Sequence, residues 1–421
     1  MKKTWTIAWC HNGDAGGSKR FAFEMVRELS KRGHVIDEVI LRGPVNNTDY
    51  LPLKPFVRTS TEVVLHSPDL SRQRPYLLYS SALLAFSVWK VRHQPRDIQI
   101  LAGRINTSDY DFVHIDHYPH CRATSILPYL ELPSVLYSHE PSPVRYLSVN
   151  GQMALPGPSG LKGGYARLCE GLHHLANYVQ DRHDIRLTNC AQAVLINSQF
   201  SKEVFFQRYG RLSTVCRYGV DYHTFRPLPV SVEPLVVSIG RLVTVKQHHI
   251  AIEAVGMIDQ TRRPRMVIAT PESVDHVKDR HYSTAIEKLA KDKGVALDVW
   301  YRPSQHDLAK LYNQAIALIF VPIMEPFGLV AIEAMACGTP VVGVNEAGIR
   351  ESVVEGVNGM LVDRDPGEIA KAIGRLMDSQ NLRAAMGKQA VEYVRQRWTW
   401  QQAADHYEEE IRKLLEGVRG L

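Results

Sequence analysis

The chain has 421 residues, 45 % of them hydrophobic and 22 % charged, with 50 Lys and Arg against 44 Asp and Glu for a net charge of +6. That balance supports large buried cores and excludes a disordered or fibrous protein, and at roughly 150 residues per domain it points to two or three domains. The six cysteines (Cys10, Cys121, Cys169, Cys190, Cys216, Cys337) form no CxxC pair and no Cys/His cluster, which argues against zinc fingers, iron–sulfur ligation and a secreted disulfide framework; they read as reduced thiols of a cytoplasmic protein.

In chain order, the apolar run Trp5–Cys10 after Met1-Lys2-Lys3 is too short for a signal-peptide core and reads as a first strand. Gly16-Gly17-Ser18 opens a helix with Phe21, Met25 and Leu29 on one face, Gly33 stops it, and Val35–Leu41 is the second strand. Between 51 and 104, Lys54, Arg58, Arg72, Arg74, Lys90, Arg92, Arg96 and Arg104 face only Glu62, Asp69 and Asp97, around the apolar run Leu77–Trp89. That run falls short of the roughly 20 residues that span a bilayer. The segment reads as a solvated surface helix or as a contact for a membrane surface or an anionic, lipid-linked substrate.

Phe112–Ile115, Ser134–Tyr137 and Ala193–Ile196 have the short apolar pattern of buried parallel strands, and Pro141–Gly164 reads as a long loop able to act as a substrate lid. Proline density over Arg226–Pro234 marks a linker. A second β/α series follows, with strands at Leu235–Ile239, Met266–Ala269, Val295–Trp300, Ala317–Val321 and Pro340–Val344. Two such series imply an α/β protein of two doubly wound, Rossmann-like domains facing across a cleft. The expected division is 1–230, 231–395 and a C-terminal helix in 396–421 that returns to the first domain. Residues 1–232 hold 27 basic and 19 acidic residues, a net +8, whereas the remainder holds 23 and 25, a net −2.

Four motifs carry chemistry. In Pro322–Pro340 a strand ends, a turn carries Glu325, and Gly328 begins a helix that Gly338 ends. The amides of Phe327, Gly328 and Leu329 then sit at a helix N-terminus suited to phosphate or sugar oxygens. Glu325 and Glu333 are acceptor-only groups suited to sugar or ribose hydroxyls; the plain alternatives are a dipole contact and a solvated helix residue. In Ser238–Gln247, a strand, Gly240 and a loop present Arg241 and Lys246, which can hold a diphosphate from two sides. Gly16-Gly17 after the first strand allows a close backbone approach to a ligand but matches neither the P-loop nor the dinucleotide fingerprint. His139 ends a strand beside the long loop. Asp363-Arg364-Asp365 spells a DxD, yet Asp365 as N-cap and Pro366 as the first helical residue account for it without a metal.

With Glu325-Pro326-Phe327-Gly328-Leu329, Glu333–Pro340, Gly240-Arg241-Leu242 with Lys246, Asn197–Lys202, Gly219-Val220-Asp221 and Asn358-Gly359, the chain resembles the nucleotide-sugar-dependent glycosyltransferases of family 4. The resemblance covers nearly the whole second domain and implies the GT-B fold. It implies a retaining hexosyltransferase that moves a hexose from a UDP- or GDP-linked donor to an acceptor hydroxyl by same-face attack, with no cofactor and no metal. By the same resemblance Glu325, Arg241, Lys246 and His139 act on the sugar and the leaving diphosphate. Glu333, Phe327, Gly328, Leu329, Gly240, Gly16 and Gly17 hold the donor. The implied acceptor is a glycan, a lipid-linked or a small-molecule hydroxyl, with peripheral contact at the inner membrane face through 51–104 and no nucleic-acid partner. A phosphorylase or epimerase on the same fold, or a non-catalytic sugar-nucleotide-binding protein, are the alternative readings. The chain departs from the family pattern at Tyr218, at Thr270-Pro271 and at Glu346-Ala347-Gly348.

Overall fold

A computed structural model describes residues 4–12, 16–42, 51–64, 84–85, 88, 96–117, 123–140, 161–272 and 280–419. Arg72, Arg74, Lys90 and Arg92 of the basic stretch, most of the run Leu77–Trp89, residues 13–15 and residues 141–160 of the expected loop lie outside them. Two compact units result: Met1–Asn197 with Ser201–Cys216 and Ala404–Leu421, and Ser198–Phe200 with Arg217–Ala403.

The first unit is built on a parallel sheet of seven strands: β1 (Thr6–His11), β2 (Val35–Arg42), β3 (Thr59–Val64), β4 (Phe112–His117), β5 (Ser134–Ser138), β6 (Ala193–Ile196) and β7 (Thr214–Val215), in the order β3-β2-β1-β4-β5-β6-β7. The inner strands β4 and β5 are buried along their whole length, as parallel strands covered on both faces must be, while the edge strand β3 is exposed. Ile98, Leu101, Ile105, Ile115, Leu136 and Phe205 fill the core on one side. β4 is unusual in burying three polar residues, His114, Asp116 and His117. The C-terminal helix Trp400–Arg419 adds Tyr407 and Ile411 to this unit, and His34 and Arg32 bond to its Glu408 and Asp405.

The second unit repeats the plan with β8 (Leu235–Ile239), β9 (Arg265–Thr270), β10 (Leu297–Tyr301), β11 (Ala317–Phe320), β12 (Val341–Val344) and β13 (Gly359–Val362), in the order β10-β9-β8-β11-β12-β13. Ala251, Ile252, Ala254 and Val255 of the helix His248–Met257 and Ile369, Ile373 and Leu376 of the helix Pro366–Asp378 cover one face. In each sheet the winding reverses once, between β1 and β4 and between β8 and β11. Crevices at such reversals, beyond the strand carboxyl ends, are where open α/β sheets bind ligands.

Three expectations are corrected. Leu161–Gly164 are not loop but the first turn of a 28-residue helix, Leu161–Thr188, long enough to absorb three glycines at about 1 kcal/mol each. β10 begins at Leu297, because the preceding helix closes over Gly294 in a left-handed turn and the Val295 amide bonds back to the Ala290 carbonyl. The first unit ends at Cys216 rather than at 230. Val220 pairs with Thr399, Leu228 N donates to Asn313 Oδ1 at 2.7 Å and Glu233 N donates to the Gln314 carbonyl at 2.8 Å, so the proline-rich stretch is tied into the second unit. No helix among the described residues is long and apolar enough to cross a membrane.

Asp365 accepts the Glu368 amide at 3.0 Å and caps the helix Pro366–Asp378. Asp365→Ala should lower the unfolding free energy by about 1 kcal/mol, and Asp365→Asn should cost much less. Equal urea midpoints for all three proteins would exclude the cap.

Candidate functional site

In the second unit the loops after β8 and β11, the two strands flanking the reversal, meet. β8 ends at Ile239 and the chain turns through Gly240-Arg241-Leu242. Leu242 N donates to Glu272 Oε2 at 2.8 Å, and the Arg241 carbonyl accepts from His248 Nε2 at 3.2 Å. His248 Nδ1 accepts from the Ser238 hydroxyl at 2.9 Å. Burial pushes the His248 ring down to about 4, so it is neutral near pH 7, as one donating and one accepting nitrogen require. A Cβ on Gly240 would stand 3.3 Å from Lys246 Cγ and Cδ, so glycine there lets the lysine stem cross the strand end.

After β11 the chain is bracketed by Arg364. Its Nη1 donates to the Val321 carbonyl and its Nη2 to the Pro322 carbonyl at 2.9 Å, and Glu346 holds the guanidinium at 2.6 Å. Ile323 N donates to the Val245 carbonyl at 2.9 Å and joins the two loops. Of the five non-glycine residues with positive φ among those described, Gln247 follows Lys246, Met324 precedes Glu325, and Ala347 precedes Gly348, whose amide donates to the Glu325 carbonyl at 3.0 Å. Backbone strain of this kind concentrates at functional loops.

The outcome is an ion pair, Lys246 Nζ to Glu325 Oε2 at 2.6 Å, with the side chains 22 % and 23 % exposed. Arg241, on the same loop and half-buried, has no ion-pair or hydrogen-bond partner for its guanidinium among the described residues. Phe327 is buried edge-on against Tyr218 (4.8 Å) and Trp398 (5.4 Å), so the tyrosine that departs from the family pattern serves as a wall for the turn. Gly328, at φ 89, caps the helix Leu329–Ala336, and a Cβ there would press on the Phe320 ring at 3.2 Å. The first-turn amides of that helix have no carbonyl four residues back and leave a partial positive charge at its mouth. Glu333 is not a solvated helix residue: it is buried and accepts from the Tyr312 hydroxyl at 3.3 Å.

In the first unit the reversal gathers a buried polar cluster. Gly16 caps the helix Gly17–Lys31, and its carbonyl accepts from Arg20 N at 3.0 Å. Lys19, one turn along, lies 3.6 Å from Glu38, which also bonds His11 Nε2 at 2.8 Å and the Ser60 hydroxyl at 2.6 Å. Burial pushes the Glu38 carboxyl up, but the His11 and Ser60 bonds and the Lys19 charge outweigh it and leave it at about 2. Burial likewise lowers the Lys19 ammonium below the ordinary lysine range. His139 is buried; its Nε2 meets Asp116 at 2.9 Å and its carbonyl accepts from Asn197 Nδ2 at 2.6 Å.

Gly240, Arg241, Lys246, Glu325, Phe327, Gly328, Leu329 and Glu333 thus share one end of the second sheet, whereas Gly16, Gly17 and His139 belong to the first unit. Sequence reasoning missed His248, Glu272, Arg364, Glu38 and Asp116. Only Arg364 carried a signal, as the middle residue of the DxD.

A family model for glycosyl transferases group 1 matches residues 224–393. The D-inositol 3-phosphate glycosyltransferase of Corynebacterium urealyticum is 31 % identical over 428 residues, covering 96 % of this chain and 92 % of that protein. The Frankia alni protein of the same name is 34 % identical over 189 residues, 41 % of this chain and 46 % of its own length. A Catenulispora acidiphila relative is covered to 53 %, so several of the curated relatives are matched over about half their length. Among solved structures, sucrose-phosphate synthase from Thermosynechococcus elongatus superposes with a TM-score of 0.73 at 19 % identity over 98 % of this chain and 100 % of that one. The Anabaena HepE protein in complex with UDP and glucose does so with 0.72 at 17 % identity, over 97 % and 100 %. At these identities the likeness speaks for the fold, which is GT-B.

A Cβ at Gly348 would stand 2.0 Å from the Pro326 carbonyl oxygen, against backbone that cannot yield, whereas one at Gly374 meets nothing within 4 Å. Gly348→Ala should therefore cost about 1–3 kcal/mol in urea unfolding, and Gly374→Ala, inside the helix Pro366–Asp378, should gain up to about 1 kcal/mol. Two changes of the same sign would refute the packing of the Glu325 turn.

Proposed function

We propose that this chain, which belongs to the group 1 glycosyl transferases, moves a hexose from a nucleoside diphosphate sugar, UDP- or GDP-linked, to an acceptor hydroxyl with retention of anomeric configuration. The observation that carries the reading is the pair of cations on one loop: among the described residues, the half-buried Arg241 guanidinium has no partner and Lys246 is matched by Glu325. They stand at the carboxyl edge of β8, beside the N-terminus of the helix that follows β11.

Arg241 grips the diphosphate by its planar fork and Lys246 as a point charge, and the amides from Phe327 to Leu329 meet phosphate or sugar oxygens. As the bond from the anomeric carbon to the phosphate oxygen breaks, negative charge grows on the diphosphate, where two placed cations are most effective. The acceptor oxygen bonds to the anomeric carbon on the face the diphosphate leaves, and its proton passes to a departing phosphate oxygen. Donor binding draws Lys246 from Glu325, which frees the carboxylate to orient sugar hydroxyls; Glu333 takes the ribose and His139 the sugar. With two fixed cations in place, the reaction needs no divalent metal, and Asp365 and Arg364 are engaged as cap and bracket.

The acceptor we infer is anionic. Support comes from the +8 balance of residues 1–232 and from relatives named for D-inositol 3-phosphate.

Lys246→Ala and Glu325→Gln should each lower kcat/KM by about 10²–10³-fold with melting temperatures within a few degrees of the parent. UDP- or GDP-sugars should raise the parent's melting temperature by mass action. EDTA should leave turnover unchanged, and the product should show the donor's anomeric coupling constant. Unchanged rates in both variants would overturn the site. Sugar release that requires inorganic phosphate and no hydroxyl acceptor would replace the transferase with a phosphorylase.

A further inference from the structure

From the buried cluster at the end of β4 we infer that Asp116 is the positioning residue of His139, holding the imidazole with its proton on Nε2 and Nδ1 as its acceptor nitrogen. The inference rests on the proposed role of His139 in transfer, since that role gives the tautomer its consequence for turnover.

Asp116 is buried, and His139, His114 and Trp9 are among its hydrogen-bond partners. Its Oδ1 meets His139 Nε2 at 2.9 Å and His114 Nε2 at 3.1 Å, and its Oδ2 accepts from the Trp9 indole at 3.1 Å. Burial pushes the carboxyl up, but the bonds from His114 and His139 outweigh it, so it stays ionised, below the usual carboxylate range. An ionised carboxylate accepts and cannot donate, so each imidazole that faces it must carry a proton on the nitrogen it presents.

The far side of the cluster agrees. Complete burial keeps His114 neutral, so with Nε2 donating its Nδ1 is an acceptor, and Tyr407 supplies a hydroxyl to it at 2.8 Å. Tyr407 is fully buried on the helix Trp400–Arg419, and the Trp9 ring stacks on His114 at 3.6 Å. The C-terminal helix therefore fixes His114, and His114 with Trp9 fixes the carboxylate. The backbone of His139 is anchored separately, its amide donating to the His117 carbonyl at 3.2 Å and its carbonyl accepting from Asn197. Phe21 meets the ring edge-on at 5.2 Å. An imidazole so held carries Nδ1 as a hydrogen-bond acceptor, which a hydroxyl of the hexose can meet while the acceptor's proton goes to the departing phosphate oxygen.

Histidine-selective 15N labelling of the full chain reads the tautomer directly, with the His139 signals assigned by their loss in His139→Gln. The parent should show the Nε2–H form, and Asp116→Asn should show a mixture or the Nδ1–H form. In steady state, Asp116→Asn should lower kcat about 100-fold with donor KM within threefold, and Asp116→Glu should recover part of the loss. The double variant Asp116→Asn/His139→Ala should be no slower than His139→Ala alone. A parent in the Nδ1–H form, or losses that multiply in the double variant, overturn the assignment. Should the Asn variant fail to fold, Tyr407→Phe carries the test: about fivefold lower kcat with a displaced His114 signal supports the chain of contacts, and an unchanged spectrum and rate overturn it. His139→Ala with full transfer activity would instead overturn the role of His139 in transfer, and the tautomer result would stand apart from it.

Discussion

The reversal of winding between β8 and β11 is the constraint on which the second unit's chemistry depends. A parallel sheet covered on both faces offers a ligand only its strand ends, and adjacent strands whose crossovers run in opposite directions leave those ends uncovered. Everything placed there must be held by loops, and loops lack the ladder that fixes a strand. The protein supplies substitutes one bond at a time. Glu272 and His248 hold the turn after β8, Arg364 and Gly348 hold the turn after β11, and the Ile323–Val245 backbone bond ties the two. Strained residues at Gln247 and Met324 are tolerated because these bonds over-determine the path.

Within that frame the two halves of the molecule treat charge differently. In the first unit Glu38 and Asp116 are nearly inaccessible, and their donors come from several elements: helix, neighbouring strand, indole and imidazole. A carboxylate so surrounded has little freedom, and removing a donor would leave a buried charge short of partners. In the second unit Lys246 and Glu325 stay about a fifth exposed and form an ion pair with each other. Such a pair contributes little to stability, because water competes for both ions. It leaves both groups able to exchange one partner for another, which is what a site for an incoming anion requires.

Much of this fold was legible in the sequence, and the reasons are local. Buried parallel strands are short apolar runs, helix ends are marked by glycine or a capping Asp, and Gly328, Gly338 and Asp365 fall where those rules put them. The candidate site was legible where chemistry is written within a few neighbours, as in Arg241 with Lys246 or Glu325 with Phe327–Leu329. It was illegible where a side chain reaches a distant carbonyl or carboxylate. Arg364 reaches Pro322 over 42 positions, Glu272 reaches Leu242 over 30, and Asp116 reaches His139 over 23. No periodicity reports such contacts. β4 was legible as a buried strand from Phe112–Ile115, but nothing local marks that the polar residues His114, Asp116 and His117 in it are buried as well. Tyr218 was legible only as a departure from the family pattern, and its ring proves to be part of the packing behind Phe327.

Net charge is also uneven, +5 over the residues of the first unit and +1 over those of the second. The unit that holds Arg241 and Lys246 carries only +1, so the proposed grip on a diphosphate would not come from a general positive field. It would come from two cations on one loop whose backbone is held by neutral supports, His248 kept unprotonated by burial and the Arg241 carbonyl, beside a positive helix mouth. Placed cations act over a few ångströms and select for geometry, whereas a diffuse surplus of the kind found in residues 1–232 acts over about 8–10 Å at physiological salt and selects mainly for sign. A donor whose leaving group must be met atom by atom suits the first arrangement. An acceptor that need only be attracted and then oriented by hydroxyl contacts suits the second, and the distribution of lysine and arginine along this chain matches that partition.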